Sequence, residues 1–197
     1  MDLQSFVFIG RSGCGKGTQI EMLMDVLKKK DPKHEILYIY TGKEFREFIK
    51  GDTKTQKLTK HVYEDGGLMP EFLTVHMWVR PLVENYNGNQ HIIFDGTPRK
   101  FHEAGVLHSM IGFYKLEKPW VINIGISEEE AVRRLLKRKR LDDTEKDIRK
   151  RLSWYETDVA PTIEFYRDNP NYNFLYVDGE RSPEEIHADI VKRLGLL

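Results

Sequence analysis

The stretch Gly10-Arg11-Ser12-Gly13-Cys14-Gly15-Lys16-Gly17-Thr18, directly after the apolar run Phe6-Val7-Phe8-Ile9, constrains this chain most. It predicts a short buried strand, a glycine-rich loop and then a helix. Glycines let backbone N–H groups turn inward around phosphate oxygens, and the helix N-terminus adds its dipole. Lys16 supplies a point charge for the outer phosphates. The general phosphate-loop pattern puts Ser or Thr directly after the lysine. Here Gly17 stands there, and the hydroxyl comes one place later at Thr18. A chance glycine-rich turn would lack the strand before it and the helix after it.

Apolar, β-branched or aromatic runs recur at Phe6–Ile9, Ile36–Tyr40, Ile92–Asp95, Trp120–Ile126 and Phe174–Val177. Each is short and nearly continuous, which suits parallel strands buried on both faces. Helical stretches lie between them. One runs from Thr18 to Lys30. Another opens at Ser127 with three acids behind it, and another at Asp142-Asp143-Thr144-Glu145, extending toward Tyr166 with a bend or break at Pro161. The last starts at Ser182-Pro183. The alternation predicts an α/β fold, a doubly wound parallel five-stranded sheet of the phosphate-loop NTPase type. Ligands in such sheets bind beyond the carboxyl ends of the strands, where Gly10, Thr41 and Asp95 fall. Residues 42–89 interrupt the alternation with roughly three helix-like segments and no strand. They read as a helical insertion, a flap jointed at Gly42, Gly51, Gly66, Gly67 and Gly88.

Lys and Arg number 31 and so do Asp and Glu, so no net charge draws the 197-residue chain to nucleic acid or a membrane surface. The cluster Arg133–Arg140 could alone serve a nucleic acid, but an isolated cluster on a neutral chain argues against it. No apolar run approaches the ~18 residues that a membrane span requires. The chain enters its first strand without a signal-like apolar region, and its single cysteine, Cys14, allows no internal disulfide. Both features lead to an expectation of the reducing cytoplasm. Cys14 reads as a small filler among glycines, since no histidine or aspartate partners it in sequence. The seven histidines are scattered and read as structural or surface residues.

The Gly15-Lys16-Gly17-Thr18 loop resembles that of the nucleoside monophosphate kinases, and the resemblance to adenylate kinases runs from about residue 5 to 195. Thr41-Gly42 with Phe45-Arg46 is similar to their acceptor-nucleotide segment, and Gly67-Leu68-Met69-Pro70 to their Gly-Leu-Val-Pro turn. Asp95-Gly96-Thr97-Pro98-Arg99 looks like their Asp-Gly-Phe-Pro-Arg signature. Arg134 through Arg138, then Arg140, Asp142-Asp143 and Arg151, resemble their arginine set. The resemblance implies reversible, magnesium-dependent transfer of the terminal phosphoryl group of ATP to AMP, giving two ADP. It implies an ATP site of Gly13, Cys14, Gly15, Lys16, Gly17, Thr18 and Arg134, the last stacked on the adenine. The AMP site would comprise Thr41, Arg46, Met69, Gly96, Arg99 and Glu103. Lys16, Arg99, Arg138, Arg140 and Arg151 would be catalytic. Thr18 and Asp95 would support magnesium, largely through water. Phosphoryl transfer needs positioning and charge stabilisation, and arginine suits it because its planar fork grips phosphate and stays charged. The expected organisation is one domain, with a core of residues 1–41 and 90–197, a nucleoside-monophosphate-binding flap at 42–89 and a minimal lid at about 138–141. Oligomeric state stays open.

Four departures from the family pattern stand out. A single Lys139 separates Arg138 from Arg140, so the lid is almost deleted. Lys43 replaces the usual Asp, Thr97 an aromatic, and Glu103 the glutamine that reads the acceptor base. An ionised carboxylate only accepts hydrogen bonds, so Glu103 opens the question of another acceptor such as GMP or CMP. Two further readings are a different phosphate-loop small-molecule kinase and a nucleotide-binding regulator without turnover. The first would lack Thr41…Arg46 and Asp95–Arg99 together; the second would have lost Lys16 or several arginines.

Overall fold

Successive residues of the first strand, β1 (Ser5–Ile9), serve opposite faces of a sheet. Phe6 and Phe8 join one apolar core, Val7 and Ile9 the other, and all are buried. Side chains alternate along a strand, so a strand covered on both sides is apolar throughout. The computed structural model describes residues 1–138 and 145–197, with only the backbone at 138, 146 and 147. The described strands are β1, β2 (Glu35–Tyr40), β3 (Gln90–Asp95), β4 (Trp120–Gly125) and β5 (Asn173–Asp178). They form one parallel sheet in the order β2-β3-β1-β4-β5. This is the doubly wound α/β architecture that the alternation predicts, with strand ends shifted by one or two residues. The chain leaves β1 toward one edge of the sheet and returns for β4 on the other side. That reversal opens the crevice where ligands bind in such folds.

Helices cover both faces. α1 (Lys16–Lys30) and α9 (Pro183–Arg193) bury Ile20, Leu23, Leu27, Ile186 and Ile190 against Phe6 and Phe8. The other face is covered by α4 (Glu71–Asn85), α5 (Phe101–Tyr114) and α8 (Ala160–Arg167). There Trp78 meets Phe94 edge to face, with ring centroids 5.9 Å apart. Ser182 caps α9 in a reciprocal box with Glu185, and Pro183 is its first residue, where a missing N–H costs nothing. Ser127 caps α6 (Glu128–Arg138) by accepting from the Glu130 N–H at 3.4 Å.

Between β2 and β3 lie α2 (Thr41–Phe48), α3 (Lys54–Glu64) and α4. Thr41 opens α2 rather than ending in a loop after β2. Phe45, Met69, Leu73 and Met77 give this region a small apolar core of its own. The long helix predicted to bend at Pro161 is built differently. α7 (Glu145–Trp154) passes into a π-helical turn, Tyr155–Val159, and then into α8, whose first turn holds Pro161. Proline lacks the N–H of the i→i−4 ladder, and the wider turn before it accommodates that loss without ending the helical path. The expected start of that helix at Asp142 lies outside the described residues. α6 and α7 are joined through Ala131, Leu135, Ile148 and Leu152.

At the opposite end of the sheet, Asp31, His34 and His91 come together, which their sequence spacing does not announce. His34 Nδ1 is 2.8 Å from Asp31 Oδ2. The Gln4 N–H donates to His91 Nδ1 at 3.1 Å, which puts the imidazole proton on Nε2, facing Asp31 at 3.3 Å. A metal ligand needs that nitrogen unprotonated, so the cluster reads as structural. No helix among the described residues is long and apolar enough to cross a membrane.

Candidate active site

The loop after β1 turns too tightly for side chains. Gly10 has φ +137°, and a Cβ there would lie 2.4 Å from the Ile124 carbonyl oxygen of β4. Gly13 has φ +86°, and its Cβ would press on Leu135 of α6 at 3.0 Å. The backbone therefore passes between β4 and α6 before entering α1. Lys16, the first residue of α1, folds back over this loop. Its Nζ donates to the Gly10 carbonyl at 2.8 Å and the Arg11 carbonyl at 3.1 Å, with the fully buried Cys14 Sγ at 3.5 Å. The ammonium is thus held at the loop's centre by the backbone that presents the N–H groups.

The carboxyl ends of the neighbouring strands supply the rest. Phe8 of β1 and Tyr40 of β2 both pair in register with Asp95, the last residue of β3. Asp95 is buried and accepts from the Tyr38 hydroxyl at 2.8 Å. Burial and the facing Asp95 carboxylate push the Tyr38 hydroxyl far above the ordinary tyrosine range, so it stays a protonated donor. Thr41 is buried, and its Oγ1 has no hydrogen-bond partner. One turn on, the Arg46 guanidinium lies over the Tyr40 ring, 5.0 Å from its centroid.

Arg99 follows β3. Its Nε donates to the Gly96 carbonyl at 3.0 Å, and its guanidinium sits 5.4 Å from the centroid of the Trp154 ring. Burial lowers its pKa, but arginine starts so high that it remains a cation. From the opposite wall, Arg134 of α6 donates to Glu130 and, at 2.8 Å, to the Gly179 carbonyl beyond β5. Arg151 reaches the same space from α7.

One cavity of about 1000 Å³ unites these groups. Gly13, Cys14, Gly15, Lys16, Gly17 and Thr18 line it after β1. Thr41, Arg46, Met69 and Gly96 line it too, as do Asp95, Arg99, Arg134 and Arg151. Glu103 is not among the lining residues. It is 1% exposed, with Oε2 accepting the Arg99 N–H at 2.8 Å and Oε1 buried without a partner. Burial raises its pKa, against the opposing pull of the Arg99 and Lys100 N–H groups. The Arg138 side chain, Arg140 and the short lid at about 138–141 lie outside the described residues. Residues that sequence reasoning missed are Tyr38, Tyr40, Trp154 and Tyr155. Trp154 stands three places after Arg151, hence on the same helix face, which was the available signal.

Comparison with known proteins agrees with this geometry. The family model described as adenylate kinase matches residues 8–171. The chain belongs to the adenylate kinase family. It is 36% identical over 180 residues to an adenylate kinase of Corynebacterium urealyticum, covering 91% of this chain and 93% of the relative. It is 32% identical to adenylate kinase 1 of a Nostoc species, over 96% of this chain and 97% of the relative. The adenylate kinase of Bacteroides fragilis is 32% identical over 98% of this chain and 99% of its own length. An adenylate kinase assignment accounts for a cavity lined both by a phosphate loop and by arginines from several separate elements.

Proposed function

We propose that this protein is an ATP:AMP phosphotransferase that reversibly converts ATP and AMP into two ADP. The observation that carries this is a cavity of about 1000 Å³ lined both by the phosphate loop and by Thr41 and Arg46. Its volume is at the upper end of the roughly 300–1,000 Å³ typical of ligand sites, as two nucleotides sharing one space require. ATP is the donor at the loop. Lys16 holds its outer phosphates, and Arg134 borders its base. AMP is the acceptor, its phosphate held by Arg46 and Arg99, with residues 42–89 acting as its flap and residues 1–41 and 90–197 as the core. Thr41 Oγ1, buried and unpartnered, is a ready contact for the acceptor. Arg151, with Arg138 and Arg140, neutralises charge on the phosphoryl group in flight.

Magnesium is the implied cofactor, and the donor set fits it. The Asp95 carboxylate and the Thr18 hydroxyl are hard oxygen donors bordering the same cavity. Held there by Asp95 and Thr18, magnesium would supply positive charge to offset that of the donor phosphates. Asp95, held by Tyr38, would orient the water around the ion.

Glu103 serves the acceptor site through Arg99, whose backbone it pins, rather than by reading the base. That removes the carboxylate's argument for guanine, and AMP is the preferred acceptor. The test is phosphorylation of AMP, GMP, CMP and UMP by ATP. AMP should react fastest by a wide margin. Faster reaction of GMP or CMP would replace the acceptor, and no phosphorylation of any would overturn the enzyme.

A further inference from the structure

Arg11 is the one residue between Gly10 and Thr18 that does not line the main cavity. It lines a second one, of about 380 Å³, behind the phosphate loop. Its guanidinium lies 4.2 Å from the centroid of the Tyr155 ring and donates to Glu156 Oε1 at 2.6 Å. A third group, Glu128 at the start of α6, is 3.8 Å away. Tyr155 and Glu156 open the π-helical turn, and Tyr155 borders both cavities. The residues just before that turn are Arg151 and Trp154, the latter beneath Arg99.

We propose that Arg11 is a positioning residue that clamps the phosphate loop to the π-helical turn, so that Arg151 and Trp154 face Lys16 in a fixed register. This rests on the phosphotransferase reading above. A π-turn carries one residue more than an α-turn and is found disproportionately at functional sites. The extra residue rotates everything before it on the helix by roughly a quarter turn, so the aim of Arg151 depends on where the turn is anchored. Arg11 anchors it from the loop itself, within six residues of Lys16.

The contact is a poor device for stability. Glu156 is 64% exposed, and exposed ion pairs contribute little. Arg11 Nε and Nη1 are buried without hydrogen-bond partners, which costs free energy. An arrangement that gains little stability and leaves two donors without a hydrogen bond makes sense as alignment. Arginine fits because its flat cation can lie on the Tyr155 ring and still bind a carboxylate edge-on.

The experiment compares wild type with Arg11→Gln, Arg11→Lys, Glu156→Gln and the Arg11→Gln/Glu156→Gln pair. It reads kcat, KM for ATP and AMP, melting temperature, and amide hydrogen exchange over residues 152–160 without nucleotide. Arg11→Gln should lower kcat about tenfold, with either KM changed less than about twofold, because alignment acts in the transition state. Exchange over the π-turn should quicken while the melting temperature moves only a few degrees. Arg11→Lys should not restore kcat. Adding Glu156→Gln to Arg11→Gln should change nothing further, since both break one contact. Wild-type kcat in Arg11→Gln, or a loss seen only as a raised KM for ATP, would overturn the clamp. So would multiplicative effects of the two substitutions. If Arg11→Gln does not fold, the exposed Glu156→Gln decides, and unchanged kcat and exchange there would overturn it. If wild type turns nothing over, the phosphotransferase reading fails, and the exchange comparison alone decides the clamp.

Discussion

The Tyr38 hydroxyl donates to Asp95 Oδ2 at 2.8 Å, across the gap between β2 and β3. That bond occupies one carboxylate oxygen of a residue that lines the main cavity. Tyr38→Phe removes the donor and keeps the ring. Asp95 should then hold magnesium-bound water less well, as partners behind a ligand typically tune metal sites by about 10-fold or more. Titration of rate against magnesium should show a raised half-saturating concentration, with KM for AMP unchanged.

Lys16 holds two loop carbonyls besides the expected phosphate. Lys16→Ala should lower kcat by roughly a hundredfold or more, the scale for removing a charged contact to a developing anion. The fold should survive, because the β1 and α1 cores do not include this side chain. Far-ultraviolet dichroism and steady-state kinetics check both halves. A change of only a few-fold would mean that the phosphate site is misassigned.

Glu103→Ala should leave the Arg99 N–H buried without its acceptor and cost about 1–3 kcal/mol. KM for AMP should rise with it, because Arg99 loses its anchor. Glu103→Gln should behave differently, since its amide oxygen still accepts that bond. Burial raises the folded-state pKa of Glu103, so the folded state binds its proton more tightly than the unfolded chain. Its contribution is therefore greatest below the unfolded glutamate pKa and is lost as pH rises toward the folded value. Denaturant unfolding of Glu103→Gln across that window should lack this downward slope.

Asp31 has the opposite sign. The hydrogen bond from His34, aided by the charge of His34 and the N-terminus and by His91, lowers its pKa despite its burial. Its stabilising contribution is present above the unfolded aspartate pKa and is lost as pH falls through the lower folded value. Asp31→Asn should melt lower at neutral pH, and the gap to wild type should narrow in acid. Melting scans from neutral to strongly acidic pH test this, with activity at neutral pH unchanged because the cluster is at the far end of the sheet.

The sequence exposed most of the architecture because parallel strands covered on both faces are nearly continuous apolar runs, as Phe6–Ile9 is. The phosphate loop was legible because its consecutive residues act together. Arg46, Arg99 and Arg151 were legible through the motifs around them, and all three line the main cavity. The π-turn left no compositional trace, since an extra residue in a helix alters spacing and not residue type. Tyr38 falls within the strand run Ile36–Tyr40, and Trp154 and Tyr155 stand in no motif of the sequence. Only their neighbours in space, Asp95, Arg99 and Arg11, make them part of the site. Glu103 was visible as a departure, but its direction was not. A nearby N–H at Arg99 turned it inward, and no sequence pattern encodes that contact.

The most direct measurement supplies purified protein with ADP and magnesium alone and follows the nucleotides over time. A cavity that holds two nucleotides with one phosphoryl group between them should make ATP and AMP in equal amounts until equilibrium. Lys16→Ala should slow this by the same factor as the forward reaction. ADP left unchanged by folded protein that demonstrably binds it would contradict the account.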